Sequence, residues 1–361
     1  MIVTIDELKT GFVLRKDVYS KSVKPLMKAG TVLNETHIAF LKAFLIAKLD
    51  IDPVTQSSAR QSSEKKAVRE SEPVPSFTEP EPNPQLSPLD RKFQQSVRDY
   101  QFFFQQWQSG TGISIGDFRE TMMPLITGFL ADPMWLTTFL IKQRRTQNAA
   151  ERSVLFGLVA AFFAKRFNFA LGDTIQLGLA GMLADCGLAK LPPSLLDKKE
   201  LVGSEKKIFE RHVIDSYKML KGISTLKNET LVAVIQHHER EDGSGYPLNI
   251  DGTQLSLNGK LLAICDSFLT QLSIEHSKNI FLSLDHLSIT SYGKFSRYLV
   301  DKFCYELMTL FIGLNVQLSD GQSGEITFIP VKEPTRPMIH LTDNRVLSLL
   351  QDSTVTIERF L

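Results

Sequence analysis

The sequence predicts a mainly α protein: a multi-helix bundle preceded by a small N-terminal α+β module and followed by a small C-terminal β unit. Three observations carry this expectation. Through most of residues 90–312 apolar side chains recur every three or four positions, the spacing that gathers them on one face of a helix. Residues 54–89 are rich in Ser, Glu, Gln and Pro with almost no aromatic residue, a composition that buries too little apolar surface to fold and reads as a disordered linker. After Gly313 the texture changes to short alternating segments broken by Asp-Gly and Pro, the pattern of strands and turns. The expected units are therefore 1–53, 54–89, 90–312 and 313–361, with leading helices over 90–147 and the core of the bundle over 148–312.

In the N-terminal module "GFVLRKDVYS" and "PLMKAGTVL" read as short strands, and Asn34 begins an amphipathic helix whose inner face carries Ile38, Leu41 and Leu45. Helical patterning starts again at "RKFQQSVRDYQFFFQQW", where Phe102, Phe103, Phe104 and Trp107 are expected in the core. It continues through "SVLFGLVAAFFAKRF", "TIQLGLAGMLADCG", "SEKKIFERHVIDSYKML", "NETLVAVIQHHERE", "LNGKLLAICDSFLTQL" and "FSRYLVDKFCYELMTLFIG". The C-terminal unit draws its strands from "VQLSDGQSGEITFIPV" and "RPMIHLTDNRVL".

Composition excludes several classes of function. With 41 basic and 40 acidic residues the formal charge is +1, so no global field recruits a nucleic-acid polymer or a membrane surface. The apolar run Val154 to Ala164 is too short to span a bilayer, which takes about 20 residues. The opening "MIVTIDELKTG" lacks the basic and apolar regions of a secretory signal, and a cytoplasmic location is expected. Cys186, Cys265 and Cys304 are odd in number and widely spaced, which fits a reducing compartment and packing roles.

The chemistry concentrates in "QHHEREDGSGYP", Gln236 to Pro247. The helix "NETLVAVIQHHERE" is expected to end near Asp242-Gly243, which places both histidines on its last turns. Neighbouring helical residues point about 100° apart, so His237 and His238 cannot face one core. They suit two neighbouring metal ions, or one metal and one phosphate; a polar helix terminus is the alternative the residues leave open.

"HHEREDGSGYP" resembles the signature of HD-GYP proteins, a bacterial subclass of the HD superfamily of metal-dependent phosphohydrolases whose typical substrate is cyclic di-GMP. The similarity extends through the linker, "GMLADCGLAKLP", "LLAICDSF" and the terminal "VQLSDGQSGEI", and "IDELKTGFVLRKDVYS" with "LMKAGTVL" resembles the module that commonly precedes such domains. The resemblance implies an HD-domain bundle and a metal set of Asp185, His212, His237, His238 and Asp266. It also implies losses. Ala150 and Ala184 stand where the family carries histidines, Leu188 where it carries a lysine, Leu269 where it carries a second late aspartate, and Glu275, His276 and Ser277 where an Arg-Pro-Tyr segment grips phosphate. The remaining candidates for substrate contact are Arg240, Lys278, Gly245 and Tyr246.

With two imidazoles missing, the expectation is a degenerate HD-GYP protein, catalytically inactive and serving as a regulatory or protein-interaction module in bacterial signalling. The alternatives are a metal-dependent cyclic di-GMP phosphodiesterase with a reduced, one-metal site, and a sensor that binds cyclic di-GMP without cleaving it. One divalent metal, Fe, Mn or Zn, or none is expected. The expected partner is another protein, a second copy of the chain being a further candidate and cyclic di-GMP an alternative ligand. His37, His276, His286 and His340 lack partners at ligand spacing and are expected to be surface or packing residues.

Overall fold

The computed structural model describes residues 2–19, 25–34, 37–38, 41, 48–52, 86–142, 146, 148–196, 198, 200–273 and 280–361. Nearly all of the expected linker, together with Leu45, Glu275, His276, Ser277 and Lys278, lies outside these residues. The chain divides into two compact units, Met1–Arg91 and Lys92–Leu361.

The first unit contains β1 (Ile2–Thr4), β2 (Val13–Leu14), β3 (Val18–Tyr19), β4 (Pro25–Met27) and β5 (Lys48–Asp52). β5 is the central strand of an antiparallel sheet ordered β1-β5-β2, while β3 and β4 pair separately. Sequence pattern pointed to β2, β3 and β4 but not to β5. Its "KLDID" buries only Leu49 and Ile51, and lysine and aspartate are poor strand formers, so the charges mask the alternation. Asn34 accepts the His37 backbone N–H through Oδ1 at 2.8 Å, as expected of a residue that opens a helical turn. Leu33 and Leu41 are buried beside it.

The second unit, which begins within α1 (Pro88–Gln108), runs on through α2 (Ile115–Ala131), α3 (Trp135–Lys142), α4 (Ala149–Arg166) and α5 (Leu171–Leu183). A 3₁₀ turn (Cys186–Lys190) leads to α6 (Pro193–Leu196), α7 (Ser204–Glu210), α8 (His212–Leu220), α9 (Asn228–Gln236), α10 (Leu257–Ser273), α11 (Ile280–Thr290) and α12 (Arg297–Met308). Its centre is the pair α4 and α5. Every residue from Val154 to Ala164 is buried, so the longest apolar run is a core helix. Glycines let the two helices touch: a Cβ on Gly157 would lie 2.5 Å from the Gly178 carbonyl oxygen. α10 packs on α4, and α9 bridges α5, α8 and α10. Of the aromatic cluster on α1, Trp107 is buried against Tyr100 and Phe118, whereas Phe102 is 47% exposed. All three cysteines are buried and free.

The chain ends in an antiparallel five-stranded sheet, β6 (Asn315–Leu318), β7 (Ser323–Phe328), β8 (Met338–Leu341), β9 (Val346–Ser348) and β10 (Ile357–Phe360), ordered β10-β6-β7-β8-β9. Val316, Leu318, Ile326, Ile339, Leu341 and Ile357 are its buried apolar residues, and Phe360 stacks on Phe281 of α11 with ring centroids 5.5 Å apart. The molecule is thus mainly α with a small sheet near each end of the sequence. No single helix among the described residues is long and apolar enough to cross a membrane.

Candidate metal centre

Five elements converge on one buried cluster. α5 ends at Leu183, and Asp185 stands at the corner before the 3₁₀ turn. That turn is pressed onto the start of α8, because a Cβ on Gly187 would lie 2.1 Å from the His212 carbonyl oxygen and 2.4 Å from the Ser216 nitrogen. The Gly187 N–H donates to Ser216 Oγ at 2.8 Å, which fixes the contact. Asp185 is thereby held beside His212, the first residue of α8. α9 stops at Gln236, earlier than its pattern suggests, and His237 and His238 follow directly. The cause is Glu239: its buried carboxylate accepts the N–H groups of Leu248 and Ile250 at 2.5 and 3.3 Å, which draws the chain out of the helix. Gly245 packs so tightly on that bend that a Cβ there would lie 2.4 Å from the Glu239 Cα. Asp266 projects from the buried face of α10.

The histidine side of the cluster is a set of facing acceptors. His212 and His237 both use Nδ1 against a backbone carbonyl three residues back, Phe209 and Val234, each at 2.6 Å. Nδ1 therefore carries the proton, and in the neutral ring Nε2 presents a lone pair. Both Nε2 atoms approach Asp185 Oδ1, at 3.2 Å from His212 and 3.3 Å from His237. The second approach has ion-pair distance but not hydrogen-bond alignment, and His237 Nε2 is a buried nitrogen with no hydrogen-bond partner. Acceptors converging in this way require a cation among them. One ligand atom from each of Asp185, His212, His237 and His238 can be chosen so that all lie within 4.8 Å of one another, a donor set suited to a single Zn-, Mn- or Fe-like ion.

The other side already contains a cation. Arg152, in the first turn of α4, places Nη1 3.0 Å from Asp185 Oδ2 and Nη2 2.5 Å from Asp266 Oδ1. Nη2 also lies 3.4 Å from Thr270 Oγ1. Asn148 fixes the register of this turn by accepting the Glu151 N–H through its side chain. The remaining oxygen of Asp266 lies 3.1 Å from His238 Nδ1. Asp185 therefore serves both sides, with Oδ2 toward the guanidinium and Oδ1 toward the imidazoles.

The charges follow from these contacts. Burial raises the pKa of Asp185, but the His212 and His237 imidazoles beside its Oδ1 and the charge of Arg152 outweigh it and hold the carboxyl well below its ordinary range. Asp266 is lowered likewise, the charges of His238 and Arg152 prevailing over burial. Burial lowers His237, yet the Asp185 carboxylate 3.3 Å from its Nε2 leaves its pKa raised. His238 goes the other way: burial and the charge of His237 bring it down to about 4 despite Asp266. The residual negative charge left by two carboxylates and one guanidinium is thus met at His237, by a proton or by a metal ion in its place.

The structure places the other residues named from the sequence partly beside this cluster and partly away from it. Ala184 is fully buried and Ala150 nearly so, and Leu269 is buried in α10. Tyr246 covers His238, its ring 4.7 Å away and tilted by 31°. Arg240 lies over Phe295 at 4.7 Å and donates to the Glu239 carbonyl. Glu241 pairs with Lys260 at 2.6 Å. His286 hydrogen-bonds Gln271, and His340 lies on β8 between β7 and β9. Two residues of the site were not singled out from the sequence, Arg152 and Glu239. Arg152 belongs to no metal or phosphate motif, and its partners lie 33 and 114 positions away in sequence, so only the fold brings them together.

A family model described as HD domain matches residues 139–280. A cyclic di-GMP phosphodiesterase of Pseudomonas aeruginosa is 33% identical over 94 residues, 26% of this chain and 23% of its own length. The cyclic di-GMP phosphodiesterase response regulator RpfG of Xanthomonas campestris is 31% identical over 118 residues, 32% of this chain and 31% of its own. Among solved structures, an HDG"Y"P protein from Bdellovibrio bacteriovorus aligns with TM-score 0.49 and 13% identity over 60% of this chain and 70% of its own. The chain spans less than a third of the length of these two curated relatives.

Proposed function

We propose, for a chain that is an HD-domain protein of the HD-GYP type, that it is a catalytically inactive member which acts as a regulatory or protein-interaction module in bacterial signalling. The observation that carries this reading is the pair of buried alanines. Ala150 and Ala184 stand where the resemblance calls for imidazoles, and neither offers a donor atom. Asp185 and Asp266 alone are too few and too oxygen-rich to hold an iron-like ion on that side. A pair of metals is what polarises a phosphodiester and supplies a nucleophile of lowered pKa on the opposite side of the phosphorus. A chain that holds one ion at most lacks half of that machinery. A fold that persists after its chemistry is reduced fits use in contact with another protein.

A second reading has its own support. The convergence of His212, His237, His238 and Asp185 suits one divalent ion, and the two relatives described above are named cyclic di-GMP phosphodiesterases. A one-metal phosphodiesterase acting on cyclic di-GMP is the alternative. The experiment that separates the two is cyclic di-GMP turnover by purified protein supplied with Mn or Fe. Product formation no faster than in protein-free buffer is expected; hydrolysis that disappears in His237→Ala would replace the first reading with the second.

A further inference from the structure

We propose that Arg152 is a resident cation that occupies one of the two ion positions of this HD-type centre, so that a guanidinium permanently stands where a divalent metal would otherwise bridge Asp185 and Asp266. The inference rests on reading the cluster as a remodelled HD centre, but it concerns occupancy and not turnover.

Geometry is the first ground. The two terminal nitrogens of one guanidinium contact one carboxylate each, at 3.0 Å on Asp185 and 2.5 Å on Asp266. The planar fork of arginine suits such a bridge, and its charge persists at any pH the fold survives. A metal ion would need carboxylate oxygens at about 2.0–2.2 Å. It could approach those oxygens only if the Arg152 side chain left, and leaving would expose two buried carboxylates to each other.

Burial and saturation are the second ground. Asp266 and Asp185 have side chains only 3% and 10% exposed, and Arg152 is 23% exposed. Arg152 is therefore not a solvent-facing arginine waiting for a phosphate. Its Nη atoms are engaged by two carboxylates with Thr270 beside them, and Phe156 flanks it at 5.9 Å. Composition is the third ground: the side of the centre that holds the guanidinium has alanines at positions 150 and 184, which offer no donor atom to a metal. The histidine side keeps its imidazoles, and its facing acceptors call for an ion or a proton. The centre is thus hybrid, half guanidinium and half metal site.

The test is Mn²⁺ titration of the metal-stripped full-length chain, read by calorimetry and by elemental analysis after gel filtration. Wild type is expected to take no more than one equivalent. Arg152→Ala leaves two buried carboxylates without their cation, so its Tm in EDTA is expected to fall by on the order of 10 °C. Saturating Mn²⁺ should then raise the Tm of the variant more than that of wild type, with a weak second equivalent appearing. Arg152→Lys, which keeps the charge but not the fork, should retain single-ion stoichiometry with a smaller loss of Tm. Two equivalents bound by wild type would overturn the proposal, and so would an Arg152→Ala protein as stable as wild type in EDTA. If Arg152→Ala does not fold, wild-type and Arg152→Lys stoichiometries still decide. Turnover of cyclic di-GMP with one bound Mn²⁺ would refute inactivity and leave this proposal standing.

Discussion

At Asp185 one carboxylate is shared between two kinds of cation chemistry, and its position depends on a residue with no side chain. Gly187 lets the 3₁₀ turn rest against the backbone of α8, where a methyl group would meet the His212 carbonyl oxygen at 2.1 Å. That obstacle is backbone and cannot rotate away. Gly187→Ala is therefore expected to cost about 2–4 kcal/mol of stability, the range of strongly overpacked core sites. It should also weaken Mn²⁺ binding at least tenfold, because Asp185 moves from the two Nε2 atoms when the turn shifts. Urea unfolding and calorimetric titration check the two parts. A variant with unchanged stability would mean that the turn is free to relax, contrary to its hydrogen bond with Ser216.

At the scale of elements, the segment after α9 makes a pH prediction. Glu239 is fully buried, and burial pushes its pKa up to about 7 from 4.5, against the opposing hydrogen bonds from Leu248 and Ile250. A carboxyl raised in the folded state binds its proton more tightly there than in the unfolded chain. Its contribution is most favourable below the unfolded value and is lost as pH rises through the folded one. His237, also raised, loses its contribution in the same direction. About 3 kcal/mol of stability belonging to Glu239 should therefore be lost between about pH 5 and about pH 7, while His238, lowered to about 4, contributes in the opposite direction below about pH 6.5, so that the Glu239 share is read from a variant and not from the net slope. Glu239→Gln should remove that share of the slope in urea melts, leaving the opposed parts due to His237 and His238; an unaltered slope would assign the titration elsewhere. The same segment separates what the sequence discloses from what it conceals. His237 and His238 are adjacent and embedded in a long motif, so their place at the end of α9 was legible. The end of the helix at Gln236 was not, because it depends on Glu239 reaching Leu248 and Ile250 nine and eleven residues on. β5 was hidden for a different reason, its alternation being carried by two apolar residues among three charged ones. Arg152 was the least legible of all. It lies two residues from Ala150 in a segment of ordinary helical composition, and its meaning exists only where α4, the end of α5 and α10 meet.

At the scale of the whole molecule, the question is whether the chain needs its metal in order to fold. Small metal-bound domains unfold without the ion because they lack a core. Here Phe156, Phe163, Phe268, Phe303 and Phe311 are all fully buried, and α4 and α5 pack through glycine contacts that owe nothing to the cluster. The cluster itself retains Arg152 as a cation when no ion is present. Chelation should accordingly leave the protein folded, with its helical signal intact at room temperature and a cooperative thermal transition. Adding Mn²⁺ to about a hundred times its dissociation constant should stabilise it by about 2.7 kcal/mol, which corresponds to a rise in Tm of roughly 5–10 °C. Circular dichroism in EDTA and in Mn²⁺ measures both quantities. Loss of helical signal on chelation would make the ion a structural staple, and the hydrophobic core and the guanidinium together would then be insufficient to hold α4, α5 and α10 in register.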